Sequence, residues 1–249
     1  MSAIHSLSIG NPKAPLVVYG HGWGRSHHDF IPTAEACAPF AHSVLLDLPG
    51  FGSSARPKLA WDTQDYAQAV FKHIKAHYGD QPYTWVGHSF GGRIGLRLAS
   101  TQESRPEQMI IVAGAGLKRK ARFSEKIRAK LRGQRFKFAK RFARNEEALI
   151  TLEQRFGSID YVQSRALGLR DIFLRTIAED QRENAAKITC PTRLIYGEKD
   201  QETPPEIGQE LHRLIKNSQL VLCPEMGHIE LLERGYHHIA LAIKESLAS

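Results

Sequence analysis

The chain's 249 residues, 42% hydrophobic and 24% charged, have the size and composition of one large globular domain. Such a chain buries roughly 70–75% of its unfolded surface, enough for a core without a metal or disulfide. Its longest apolar runs, such as Met109–Ala113 and Leu16–Tyr19, fall far below the ~18 residues that would span a bilayer, and no leader pattern opens it, so a cytoplasmic protein is expected. Three scattered cysteines, Cys37, Cys190 and Cys223, offer neither a metal spacing nor an even disulfide set.

In chain order, Ala3–Ile9 reads as an edge strand and Leu16–Tyr19 and Ser43–Leu48 as buried strands. A helix follows over Asp62–Tyr78, where Tyr66, Ala69, Val70, Ile74 and Tyr78 share one face and Asp62 or Thr63 can cap the start. Next come a strand over Tyr83–Val86, a helix over Phe90–Ser100 and a strand over Met109–Ala113. After a long interval the rhythm resumes with a strand at Thr192–Tyr196, a helix at Pro205–Lys216, a strand at Gln219–Leu222 and a helix at Leu231–Leu247. Strands alternating with helices imply an α/β fold with a mostly parallel central sheet flanked by helices.

No strand pattern occurs between about Leu117 and Ile188. A structureless loop of that length is improbable in a compact domain, so 117–188 is expected to be a helical insertion over one end of a core formed by 1–116 and 189–249. The net charge of +8 belongs to this insertion: Lys118–Arg144 holds thirteen Lys or Arg and one acid, about +12, which leaves about −4 for the rest.

The chemistry concentrates in Gly87-His88-Ser89-Phe90-Gly91, a G-x-S-x-G between a strand and a helix. A turn that tight needs small neighbours, and it lifts the serine hydroxyl to the sheet's carboxyl edge beside a helix N-terminus. Ser89 is therefore the candidate nucleophile. It needs a base, and His228, in a turn between the last strand and the last helix, lies at the same edge. His73, His77, His212, His237 and His238 lie within helices and read as surface residues, while the turn's geometry points His88 away from the serine. An imidazole base needs a carboxylate to hold its tautomer; Asp200 stands at the same edge, with Glu198 its nearest rival and Glu225 and Glu230 weaker ones.

An oxyanion hole requires two backbone N–H groups near the serine, here expected from Phe90 and from Trp23 in the Gly20–Gly24 loop. The Trp23 indole and His88 are candidates for lining the substrate pocket. Gly50-Phe-Gly52-Ser-Ser-Ala55 fits a loose dinucleotide fingerprint, but Arg56-Pro57 follows where a helix should start, so a connecting turn is the better account.

Together, His21-Gly22-Trp23-Gly24, Asp47-Leu-Pro-Gly-Phe-Gly52, Gly87-His-Ser-Phe-Gly91, Tyr196-Gly-Glu-Lys-Asp200 and Gly227-His228 resemble the α/β-hydrolase superfamily, specifically small bacterial members with one helical cap. The first two stretches are similar to those of the pimeloyl-carrier-protein methyl ester esterases; that family's usual elbow Trp is His88 here, and the cap is not similar. The resemblance implies acyl transfer from a small ester, thioester or lactone to water, with no cofactor and no metal. Carbon–carbon bond hydrolases share the same triad, and a catalytically silent fold that only binds a ligand is the reading from another class.

The basic Lys118–Arg144 is expected to be a solvated surface, or to meet an acidic carrier protein, an anionic substrate group or lipid headgroups. Phe123, Ile127, Leu131, Phe136 and Phe138 interleave its charges. No recognised motif supports nucleic acid.

Overall fold

The computed structural model describes residues 4–118, 131, 133–136, 138, 139, 141, 142, 145, 151, 152 and 159–248. Its centre is a seven-stranded sheet: β1 Ser6–Gly10, β2 Leu16–Gly20, β3 His42–Leu46, β4 Tyr83–His88, β5 Gln108–Val112, β6 Thr192–Gly197 and β7 Ser218–Cys223. The strands lie in the order β1-β3-β2-β4-β5-β6-β7. Only the edge strand β1 runs antiparallel, pairing Ser6 with Leu46, and every other neighbouring pair is parallel.

Two apolar layers follow from the period of two in the strands. In β2, Leu16 and Val18 face one layer and Val17 and Tyr19 the other, and all four are buried. The first layer takes its helical cover from α2 Thr63–Tyr78 and α3 Phe90–Ala99, through Tyr66, Val70, Ile74, Ile94 and Leu98. The second is covered by α1 Ile31–Cys37 and, beyond the last strand, by α8 Glu230–Glu233 and α9 Tyr236–Leu247. Between β5 and β6 the described elements are α4 Ile159–Ala166, α5 Arg170–Ala178 and α6 Arg182–Lys187; α7 Pro205–Leu214 joins β6 to β7.

Most expected elements are present with ends shifted by one to three residues. Asp62 caps α2, its carboxylate accepting from the Gln64 and Asp65 amides. The expected helix over Leu231–Leu247 is instead two, broken at Arg234-Gly235, where glycine's poor helix propensity ends the first turn. Helix α1 and the 3-10 turn His27–Phe30 are additions; Phe30, Ala34 and Cys37 are buried at helical spacing, but over too short a span to stand out.

Glu179 fastens α5 and α6 to the sheet-covering helices. It accepts from the Thr63 amide and hydroxyl, from Arg97 and from Gln181. Among the described residues no helix is long and apolar enough to cross a membrane.

Candidate active site

The carboxyl ends of the parallel strands gather at one edge, and β4 hands the chain to α3 there through Ser89. Its backbone is left-handed (φ 47°, ψ −102°), a conformation that costs a non-glycine residue of order 1–3 kcal/mol. The surroundings hold it: the Ser89 amide donates to the Val112 carbonyl at 3.0 Å, and its carbonyl accepts from Ala115 at 3.1 Å. A Cβ on Gly91 would run into the Gly20 carbonyl oxygen, and one on Gly87 into the Gly91 backbone. Both glycines are there for close approach.

His228 follows β7, and its Nδ1 lies 2.7 Å from Asp200 Oδ2. Asp200, three residues past β6, is buried, whereas the rival Glu198 is exposed. The other Asp200 oxygen accepts from the Glu202 and Thr203 amides, each at 2.8 Å. Thr203 Oγ1 lies 2.8 Å from Asp200 Oδ2, 3.1 Å from His228 Nδ1 and 2.9 Å from the Ala113 carbonyl. Sequence reasoning missed this threonine. The signal was its place three residues after a turn aspartate, where a hydroxyl and an amide return to the carboxylate.

Ser89 and His228 line one cavity of about 610 Å³ together with Trp23, Arg25, His88, Asp160, Gln163 and Glu202. Glu202 Oε2 stands 3.5 Å from His228 Nε2. Burial, then the neighbouring Glu202 charge, pushes the Asp160 carboxyl up to about 6.

His88 is wholly enclosed. Its Nε2 donates to the His228 carbonyl at 3.2 Å, and the two rings stand 4.6 Å apart. Burial, then the His228 charge, holds it far below the ordinary histidine range, so it is a neutral prop rather than a proton acceptor. His73, expected at the surface, is half-buried with an enclosed Nε2, and burial followed by His77 lowers it to about 4.

The loop after β2 owes its course to His21, another residue whose role the sequence did not disclose. Its Nδ1–H donates to the Gly22 carbonyl at 2.7 Å, and its Nε2 accepts the Leu48 amide at 2.9 Å. Burial lowers it to about 4, which keeps that accepting nitrogen bare. The loop carries Trp23, whose ring packs against Phe51, Phe90 and Phe173 with centroids 5.0–5.2 Å apart. Among the described residues, neither the Trp23 nor the Phe90 amide donates to a protein acceptor.

A model of the alpha/beta hydrolase family matches residues 17–237. The chain belongs to that family. In sequence it is 28% identical over 249 residues to a pimeloyl-[acyl-carrier protein] methyl ester esterase of Neisseria meningitidis serogroup C, covering 92% of this chain and 93% of that one. The enzyme of the same name from Chromobacterium violaceum is 29% identical, covering 88% and 89%. Among solved structures, an esterase from Exiguobacterium antarcticum superposes with a TM-score of 0.74 at 22% identity, covering 100% and 96%, a likeness of fold.

The Gly50–Ala55 stretch is a turn in which Gly50 donates to the Ala55 carbonyl at 3.1 Å, and no helix follows it directly. In the basic segment, Phe123 and Ile127 lie outside the described residues, as do Arg132, Lys137 and Lys140. Leu131 and Phe138 are exposed and Phe136 is half-buried.

Proposed function

We propose that this protein is a carboxylic ester hydrolase working through an acyl-enzyme on Ser89. The observation that carries the reading is the 2.7 Å pairing of Asp200 with His228 in a turn whose histidine shares a cavity with the strained Ser89. His228 removes the Ser89 proton as Oγ attacks the ester carbonyl. Asp200 keeps the imidazole's Nδ1 protonated and stabilises the imidazolium. The Trp23 and Phe90 amides receive the oxyanion, a contribution of about 3–4 kcal/mol per donor. His228 then protonates the departing alcohol, and water repeats the sequence on the acyl-enzyme. None of these steps calls on a cofactor or metal.

Trp23 and His88 form part of the acyl pocket wall, and 117–188 serve as its cap. For the substrate class, the names of the relatives favour an acyl group on an acyl-carrier protein, and the roughly +12 charge of Lys118–Arg144 would complement a carrier that is acidic. The cytoplasm, where acyl carriers work, is the compartment that fits.

Neutralising Arg132, Arg135, Lys137 and Lys140 together tests the assignment. KM for a carrier-linked methyl ester should rise several-fold, and added salt should mimic the change, since exposed charges are screened beyond roughly 10 Å at 0.1 M ionic strength. Turnover of a small neutral p-nitrophenyl ester should stay within about twofold. Equal loss on both substrates would reject the carrier reading in favour of a structural role for these charges.

A further inference from the structure

We propose that His5, His27 and Asp47 form a binding site for a divalent transition-metal ion of the zinc type. None of the three lines the Ser89 cavity, so the site is separate from the proposed hydrolytic chemistry.

The fold brings them together from three segments. Pairing of β1 with β3 sets Ser6 opposite Leu46, and the ladder extends one step further: the Asp47 amide donates to the His5 carbonyl at 2.9 Å. The His5 amide donates to Ser54 Oγ at 2.8 Å, which fixes the root of that side chain. His27 opens the 3-10 turn with its amide 2.8 Å from Asp47 Oδ1. Both rings then turn Nδ1 toward the carboxylate, at 3.1 Å for His5 and 2.9 Å for His27. All three candidate ligand atoms lie within 4.8 Å of one another.

Those separations suit coordination. Ligand atoms held at about 2.0–2.1 Å in a tetrahedron stand about 3.3–3.4 Å apart; each ring nitrogen is near that distance from its own carboxylate oxygen, Oδ2 for His5 and Oδ1 for His27, and small ring rotations would bring the set around one ion. Two imidazoles and one carboxylate favour zinc and its transition-metal neighbours over calcium or magnesium, which take oxygen ligands. The Asp47 carboxylate is fully enclosed and the His27 ring 11% exposed, while the His5 ring is 44% exposed. The outer side therefore has an entry path and room for a water as fourth ligand. The His27 amide, donating to Oδ1, helps to hold that carboxylate in place. Ser53 also supplies an outer-shell bond, its amide donating to Oδ2 at 2.8 Å. On binding, each neutral ring carries its proton on Nε2 instead of Nδ1, exchanged through solvent, and no electrons move.

The test uses the full chain, free of any affinity tag and stripped with a chelator, titrated with zinc chloride by calorimetry and with cobalt chloride by visible absorption. One saturable zinc per chain and the absorption of a four-coordinate cobalt site are expected. His5→Ala and His27→Ala should each weaken binding at least about tenfold. His5 is exposed, so its variant should fold, and circular dichroism checks this. His73→Ala/His77→Ala, which removes another histidine pair with rings 4.2 Å apart, should leave the binding intact. Absence of saturable zinc, or zinc that survives His5→Ala and His27→Ala, would overturn the site, as would loss of binding in the His73/His77 variant alone.

Discussion

Asp200 sits among donors that suit a carboxylate: two amides on one oxygen, and His228 Nδ1 with the Thr203 hydroxyl on the other. Asp200→Asn keeps the shape but allows the wrong imidazole tautomer, and kcat should fall roughly 10⁴-fold. Glu198→Gln, on an exposed side chain, should leave kcat within about twofold. Thr203→Val removes one hydroxyl from the pair and should cost about 1–2 kcal/mol of transition-state stabilisation, roughly five- to thirtyfold in kcat, which Thr203→Ser should restore. Steady-state kinetics on one neutral ester ranks all four. The sequence favoured Asp200 over its rival Glu198 at this edge, although both follow β6 closely. The choice depends on which side chain the turn's amides and Thr203 enclose, a matter of backbone path rather than residue type.

Among the elements, the junction of β4 and α3 was the most legible. Its glycines have a steric duty that shows as a pattern: Gly87 and Gly91 stand where no Cβ fits. Gly91→Ala should lower stability by roughly 1–3 kcal/mol or more and reduce labelling of Ser89, since the added methyl must push the Gly20 strand end away. Gly133→Ala is the matching control. Among the described residues nothing lies within 4 Å of a Cβ added to that helical glycine, and alanine there should stabilise by up to about 1 kcal/mol. Urea midpoints of the two variants should move in opposite directions. Less legible was the C-terminal helix, where the apolar period continues across Gly235 and conceals the break before α9. The site's supporting histidines were also hidden. Nothing local to His21 or His88 states that one accepts the Leu48 amide and the other props the His228 carbonyl. Those partners lie 27 and 140 residues away in sequence.

Across the whole molecule, buried ionisable groups set the response to pH. His21 and His73 are lowered by burial to about 4, and His88 lies well below the ordinary 6.5. Between about 6.5 and 4 the unfolded chain therefore binds more protons than the folded one, and stability falls on acidification. Asp160 opposes this. Its carboxyl, raised to about 6 by burial and Glu202, makes folding less favourable as pH climbs from 3.8 through 6. Asp160→Asn should thus gain stability on the order of 1 kcal/mol at pH 7 after allowance for solvent screening, and less at pH 5. Equal gains at the two pH values would contradict the assignment. The mostly parallel sheet with helices on both faces was readable because its central strands, β2, β3 and β4, are covered on both faces and spell short, largely apolar runs. Charge placement was readable as a total, but its surface geometry was not, since side-chain exposure in 117–188 depends on tertiary packing.

Intact-protein and peptide mass spectrometry after treatment with a fluorophosphonate measures the central claim most directly, because that reagent reports an activated serine without presuming the natural substrate. Wild-type protein should gain one adduct per chain, carried on the peptide containing Ser89. Folded Ser89→Ala should gain none, and its ester hydrolysis should fall by on the order of 10⁴-fold or more. An unlabelled but folded wild type, or an adduct that persists in Ser89→Ala, would contradict the account.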